Sequence, residues 1–593
     1  MTDKKKDMKG KNIVQFAIWL LIIVLLNVIG SFLFTRLDLT SERRYSLSDS
    51  TKKMLRELDD LVYFKVYLEG DFPAGFKRLR NETREMLNEF RAYSDNVQFE
   101  FINPSGSPDK SERNNLYQKL VTAGLNPTDL QVKTNDGTSR QVIFPGAIVN
   151  YKNKELPLEL LNSQIGVAPE QVLNNSVQQL EYNISSVIRK LSVPVKPNIA
   201  FIYGHGELPE IETADIRRAL SEYYTVDRIK IDGKLNSLTE TDTKDTLNVS
   251  TRNKYKAIII ARPESSYSEI DKFIIDQFVM RGGKVLWLIN PVSATMDSLQ
   301  RSRQTVGIVN ETNLEDQLFN YGVRMNGNLV VDINCLPIPM VTGMTGNQPQ
   351  TTFVPWFFFP IIMPTSQHSI VRNLNGVKCE FVSSLDTIQK VGVKKTYLLT
   401  TSQYSRKLTA PVMISLNMAR QDADPAQFNQ PFQNVAVLLE GRFESLFLNR
   451  IPPNIAQTRI GFLSKSENTS MIVVADGDII KNQVSYGQSG YEPLPLGFDR
   501  YTRQSFGNKD FIMNAVNYLC DDSGLISARS RELKLRMLDS TRLKDEKLKW
   551  QLINVIFPVL LVLLFGLVQH FRRRHRYAGW PQAGFKISKR KVY

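Results

Sequence analysis

The sequence predicts an α/β protein held to a membrane at both ends, and three observations predict it. Two uncharged runs stand near the termini, strands alternate with helices between them, and one strand, NIAFIYGHGELP (198–209), ends in a glycine turn that leads into a helix. Strands alternating with helices favour a parallel, doubly wound sheet. The length agrees, since 593 residues exceed an ordinary single core and imply two or three domains.

The first uncharged run, 13–34, follows a lysine-rich tail, residues 1–12, of net charge +3. At about 1.5 Å per residue it spans a hydrocarbon core of about 30 Å, and it is too long for a signal-peptide core. The second run, 551–569, contains Pro558, a site for a kink, and stops at Arg572-Arg573-Arg574. Residues 570–593 carry +8, which leaves +4 on the 557 residues between the tails. The basicity therefore belongs to the tails. It argues for two transmembrane helices with both termini cytoplasmic and a large periplasmic domain in an inner membrane, and against a nucleic-acid groove. A charged segment, 529–550, reads as a juxtamembrane helix.

Residues 38–192 run as a strand (62–68), a helix (77–93), a strand (97–103), a helix (113–123), strands near 130–133 and 141–151, and a final helix through Val177 and Ile188. That is the element order of a thioredoxin-like domain, with Pro145 preceding an edge strand. The first cysteine is at 335, so this domain has no dithiol chemistry. Residues 197–525 read as a doubly wound, class I amidotransferase-like domain. Its strands are expected at 199–203, 225–231, 257–261, 284–289, 329–331, 396–400, 435–439 and 471–475, with a polar loop over 232–254. A helix through Ile270 and Phe278 ends at Gly282-Gly283, which suit a C-cap, and another covers 509–519. Stretches rich in Pro, Gly, Met and Thr predict a loop-rich insertion near 330–430.

In open α/β sheets ligands sit at the carboxyl ends of strands. Gly204, His205, Gly206, Glu207, Arg262, Asp476 and Asp478 fall there and form a candidate crevice for a ligand or partner. The alternative is a pair of tight turns with solvent-facing acids. No GxSxG, GxGxxG, phosphate loop or HExxH occurs, and three scattered cysteines with four histidines supply no metal set. An amidotransferase-like enzyme places Cys or Ser on the sharp turn where His205 stands here. The residues thus point away from an enzyme and from any cofactor. PWFFFPIIMP (355–364) has three prolines, which argue for a loop. Trp356, Phe357, Phe358 and Phe359 on it form a candidate docking surface for a partner or the membrane, with burial in their own domain as the alternative.

The blocks DLTSERRYSLSDST, FINP, FIYGHGE, DQFVMRGGKVLWLINP, TTSQYS, VAVLLEGRFES, VVADGD and GNKDFIMNAVNYL occur in that order between the two runs. Together they resemble the gliding-motility-associated ABC-transporter auxiliary (GldG) family of Bacteroidetes, within the wider ABC-type uncharacterised transport auxiliary family. The resemblance implies a membrane-anchored periplasmic subunit, described as substrate-binding, that works with an ABC permease and its ATPase. It also implies a central domain similar to one in intraflagellar transport proteins. The alternatives are an envelope carbohydrate-binding or carbohydrate-active protein, with a glycan as ligand, and a purely structural anchor.

Overall fold

The computed structural model describes residues 2–32, 46–134, 137–162, 167–193, 195–242, 250–345, 348–420, 423–450, 461–487, 490–521, 524–530 and 546–577. Parts of the expected juxtamembrane helix (531–545) and basic tail (578–593) lie outside these residues. The chain forms two compact units, 1–532 and 533–593. In the second, Lys547–Tyr577 is one continuous helix with Pro558 inside it, long and apolar enough to cross a membrane. In the first unit the helix Thr2–Phe32 carries a shorter apolar stretch, Ile13–Val28.

After the N-terminal helix comes a four-stranded sheet in the order Val97–Phe101, Val62–Val66, Gly146–Tyr151, Lys154–Glu159. The first two strands are parallel and the other pairings antiparallel. The strand after Pro145 is therefore interior, not an edge. Proline is tolerated because it precedes the strand and is asked only for its carbonyl, which accepts from the Leu160 N–H at 2.9 Å. One side of this sheet is sealed by Ala74–Tyr93 and by Leu180–Ser192, whose Leu180, Ile184, Val187 and Ile188 recur at helical spacing and are buried. The single final helix expected through Val177 is two helices, Pro169–Gln178 and Leu180–Ser192, meeting at Gln179.

The central sheet has seven strands, in the order Val393–Thr400, Asn434–Gly441, Thr469–Val474, Lys284–Leu288, Ala257–Ala261, Asn198–Tyr203, Thr225–Lys230. The last five are mutually parallel; the second runs antiparallel to them, and the first antiparallel to the second. Alternate residues of Asn198–Tyr203 enter different cores. Ile199 and Phe201 pack with helices Ala214–Ser221 and Asn508–Cys520, while Ala200 and Ile202 pack with Glu269–Met280. Both faces are covered, which is why AIIIA (257–261) is apolar throughout and wholly buried. Numbered along the chain, the parallel strands read 2-1-3-4-5. The direction of winding reverses between strand 1 (198–203) and strand 3 (257–261), and such a switch point is where doubly wound sheets offer a crevice.

The 330–430 region is strand-rich, which corrects the loop-rich expectation. Cys335–Thr345 and Gln348–Ile362 form a long antiparallel ribbon, and Asn328–Asp332 pairs with Ser405–Thr409. PWFFFPI thus lies in a strand rather than a loop. Its prolines are accommodated because Pro355 faces Pro337 across the ribbon, so neither is asked for a donor, and Pro360 pairs next to a register shift.

Candidate functional site

The strand Asn198–Tyr203 ends at Gly204, whose φ of +130° and closeness to the Ile231 carbonyl leave no room for a side chain. The chain then turns so that the His205 carbonyl accepts from the N–H groups of Glu264 and Ser265, at 2.9 and 2.8 Å. Leu208 N–H donates to the Ala261 carbonyl at 3.0 Å. These bonds stitch the GHGE turn onto the end of the neighbouring strand at the switch point itself.

His205 lies inside. Its Nε2 is 3.2 Å from Asp271 Oδ2, its Nδ1 is 3.6 Å from Glu207 Oε1, and its ring stacks on Tyr267 at 3.7 Å between centroids. Glu207 accepts from the His205 N–H at 2.7 Å and from the Tyr267 hydroxyl at 2.5 Å. Asp271 accepts from Gly233 N–H at 2.8 Å and from the Ser268 hydroxyl at 2.7 Å. Ser268 also caps the helix that carries Asp271. Burial disfavours the imidazolium, but the hydrogen bond to Asp271 and the nearby Glu207 carboxylate outweigh it and raise the His205 pKa to about 9. The two carboxyls are held below their ordinary range despite burial, chiefly by His205. The cluster is an imidazolium clamped between two carboxylates.

Alongside it stands a second network. Arg262, in a left-handed conformation (φ +55°) at the end of Ala257–Ala261, donates to Asp478 Oδ1 at 2.7 Å and to Glu264 Oε1 at 2.5 Å. Asn290, after the Lys284–Leu288 strand, donates to Asp478 Oδ2 at 2.7 Å. Gly477 passes so close to Arg262 that a Cβ would stand 2.9 Å from its Cα. Asp476 is wholly buried and accepts from Asp478 N–H at 2.8 Å and Glu380 N–H at 3.0 Å. Burial, then repulsion from Asp478, pushes its carboxyl well above the usual range.

The structure thus brings all seven predicted crevice residues to the ends of the parallel strands. It corrects the picture of solvent-facing acids, since Glu207 and Asp476 are buried and hydrogen-bonded. Every carboxylate of the row is engaged within the protein, so the row acts as a lock across four strand ends. Among the described residues no group of three or more His, Cys, Asp or Glu is arranged to hold a metal.

An open volume lies beside the lock. A cavity of about 370 Å³ is bounded by the Cys335–Thr345 strand and by the segments after Ile480 and Asp499. Its polar lining includes Lys378 with Glu380 at 2.8 Å, Lys481 with Glu212 at 3.5 Å, and Arg500 beside Tyr501. Sequence reading missed these residues. The one signal was Lys481, which stands three residues beyond Asp478 and so follows a strand end. Of the predicted docking residues only Phe359 reaches the wall of this cavity, and none of the four is exposed. Trp356, Phe358 and Phe359 are in a core cluster, with Phe358 and Phe359 against Phe381, and the half-buried Phe357 meets Phe428 edge-on at 5.3 Å. They form core and not surface, because the ribbon turns them into the domain.

A model of the family described as ABC-type uncharacterized transport system matches residues 196–515, the span of the seven-stranded sheet. A second model, described as a domain of unknown function, matches 41–150. A protein of Borreliella burgdorferi described as uncharacterized is 19% identical over 573 residues, covering 95% of this chain and 99% of its own. Among solved structures, the mmIFT52 N-terminal domain aligns over 54% of this chain and 96% of that one, at 12% identity. Its TM-score of 0.29 is too low to bear on fold or function.

Proposed function

Because the chain belongs to the family described as ABC-type uncharacterized transport system, we propose that it is a non-enzymatic, membrane-anchored accessory subunit of an ABC transporter of the gliding-motility type. The observation that carries this reading is the family match across the whole central sheet. The helix Lys547–Tyr577 anchors the C-terminal end and the segment 13–34 the N-terminal end, with both tails cytoplasmic and the α/β body periplasmic. Its partners are the permease and the ATPase, which supplies the nucleotide hydrolysis. The N-terminal sheet serves as a thioredoxin-like scaffold without a dithiol.

Support for a non-enzymatic role comes from the lock. His205 is stacked and engaged by acids, and Asp478 is neutralised by Arg262, so neither is poised as base or nucleophile. The second reading, a carbohydrate-active protein, has Glu212 and Glu380 on the 370 Å³ cavity in its favour. Assays of the purified full chain against ATP and envelope glycans separate the two. The proposal expects no turnover by the chain alone, whereas glycan hydrolysis that disappears in Glu380→Gln would overturn it.

A further inference from the structure

The first unit holds a second cavity, of about 270 Å³, in the seam between its four-stranded and seven-stranded sheets. One wall comes from the end of the Lys154–Glu159 strand and the helix Leu180–Ser192, the other from residues 373–375 and the helix Asn508–Cys520. The short helical turn Leu525–Ser530 brings in Arg529. At about 30 Å³ per molecule the volume would hold roughly nine waters, far more than a packing defect. Its lining is dominated by carboxamides, among them Gln179, Asn183, Asn514 and Asn517.

Arg529 is 7% exposed. Its Nη2 donates to the Arg372 carbonyl at 3.2 Å and its guanidinium lies 5.2 Å over the Tyr182 ring, but its Nε has no hydrogen-bond partner among the described residues. No carboxylate among the described residues lies within ion-pair distance of it. A buried charge without an ion-pair partner is costly, and one carbonyl together with the more distant Asp510 carboxylate compensates only part of that. Gln179 repeats the pattern: it is 4% exposed, its Oε1 accepts from Asn162, and its Nε2 has no partner among the described residues. The other cation of the cavity, Lys190, is already matched by Glu222 at 2.9 Å. Of the two acids here, Asp510 acts on Arg529 only from beyond ion-pair distance, with its own carboxyl raised above the ordinary range, and burial pushes the Glu159 carboxyl up to about 7, which halves its charge at neutral pH. A buried guanidinium without an ion-pair partner and a carboxamide whose donor lacks an acceptor, both on side chains lining one roomy polar cavity, complement a ligand rich in acceptors and negative in charge.

We infer that the seam cavity binds a small organic oxyanion, a carboxylate or a phosphate monoester, with Arg529 and Gln179 as its principal donors. Such a ligand touches both sheets, so its binding ties them together. The inference rests on the seam alone and not on the transporter reading.

The test uses the full chain in detergent, with melting temperature and calorimetric titration read against inorganic phosphate, succinate and, as a neutral control, glucose. A saturable rise with phosphate or with succinate is expected, and which of them produces it identifies the oxyanion. Arg529→Gln should weaken that binding by about tenfold or more, the share of one charge-assisted bond. Asn517→Asp should do the same by placing a negative charge in the cavity, while its carboxylate can still accept from the Tyr224 hydroxyl, now at 2.9 Å. The inference is overturned if neither anion shifts the melting temperature more than glucose does, or if both variants bind as tightly as the parent.

Discussion

His205 stays protonated through neutral pH because Asp271 and Glu207 lie 3.2 and 3.6 Å from its ring nitrogens. Its folded pKa, about 9, is above the ordinary 6.5, so the stabilisation it brings is complete below about pH 6.5 and is lost as pH rises through about 9. The carboxyls of Glu207 and Asp271 are shifted down from 4.5 and 3.8, so their contribution holds above those values and fails as pH falls below them. The cluster is therefore strongest between about pH 4.5 and 6.5, and the imidazolium adds about 3 kcal/mol there. Melting curves of the parent and His205→Gln should converge from pH 6.5 to above 9; parallel curves would refute the clamp. Glu207→Ala leaves the imidazolium with Asp271 alone and strands the Tyr267 hydroxyl, so it should lower unfolding free energy by about 3 kcal/mol in denaturant titrations. A loss below about 0.5 kcal/mol, usual for a surface site, would place Glu207 in solvent. GHGE was legible as a strand-end turn, yet its burial was not, because Tyr267 and Asp271 arrive from more than fifty residues away.

At the scale of elements, the ribbon Cys335–Thr345/Gln348–Ile362 shows where pattern reading stops. Alternation and β-branched runs identified the strands of the seven-stranded sheet to within a few residues, since burial on both faces makes the five inner ones largely apolar. Proline content hid the ribbon. Only the pairing of Pro355 with Pro337 explains why no donor is missed, and pairing depends on a second segment that local sequence does not reveal. The consequence for Trp356 is concrete. It is 1% exposed and packs on Phe358 at 5.1 Å between ring centroids. Trp356→Ala should cost about 3–5 kcal/mol and lower the melting temperature sharply. An unchanged melting temperature would return the segment to the surface. Asp476 gives the same lesson, because its partner, the Glu380 N–H, is 96 residues distant and no local property of DGD announces it.

For the whole molecule, the sequence carried the family and the placement of apolar runs, while the seam cavity was invisible because Gln179, Asn517 and Arg529 meet only after two sheets dock. Topology is testable without a partner. Lys234 has an exposed side chain, and Cys379 and Cys520 are buried with Cys335 intermediate, so background labelling is low. Lys234→Cys should react with an impermeant thiol reagent in intact spheroplasts and Ser588→Cys should not; equal labelling would contradict a periplasmic body with cytoplasmic tails. The central claim is that this body serves an ABC transporter. Affinity purification of the tagged full chain from its own membranes in mild detergent, with the copurified chains identified by mass, tests it most directly. The account predicts a stoichiometric permease together with an ATPase carrying a phosphate loop, and recovery of the folded chain with neither would contradict it.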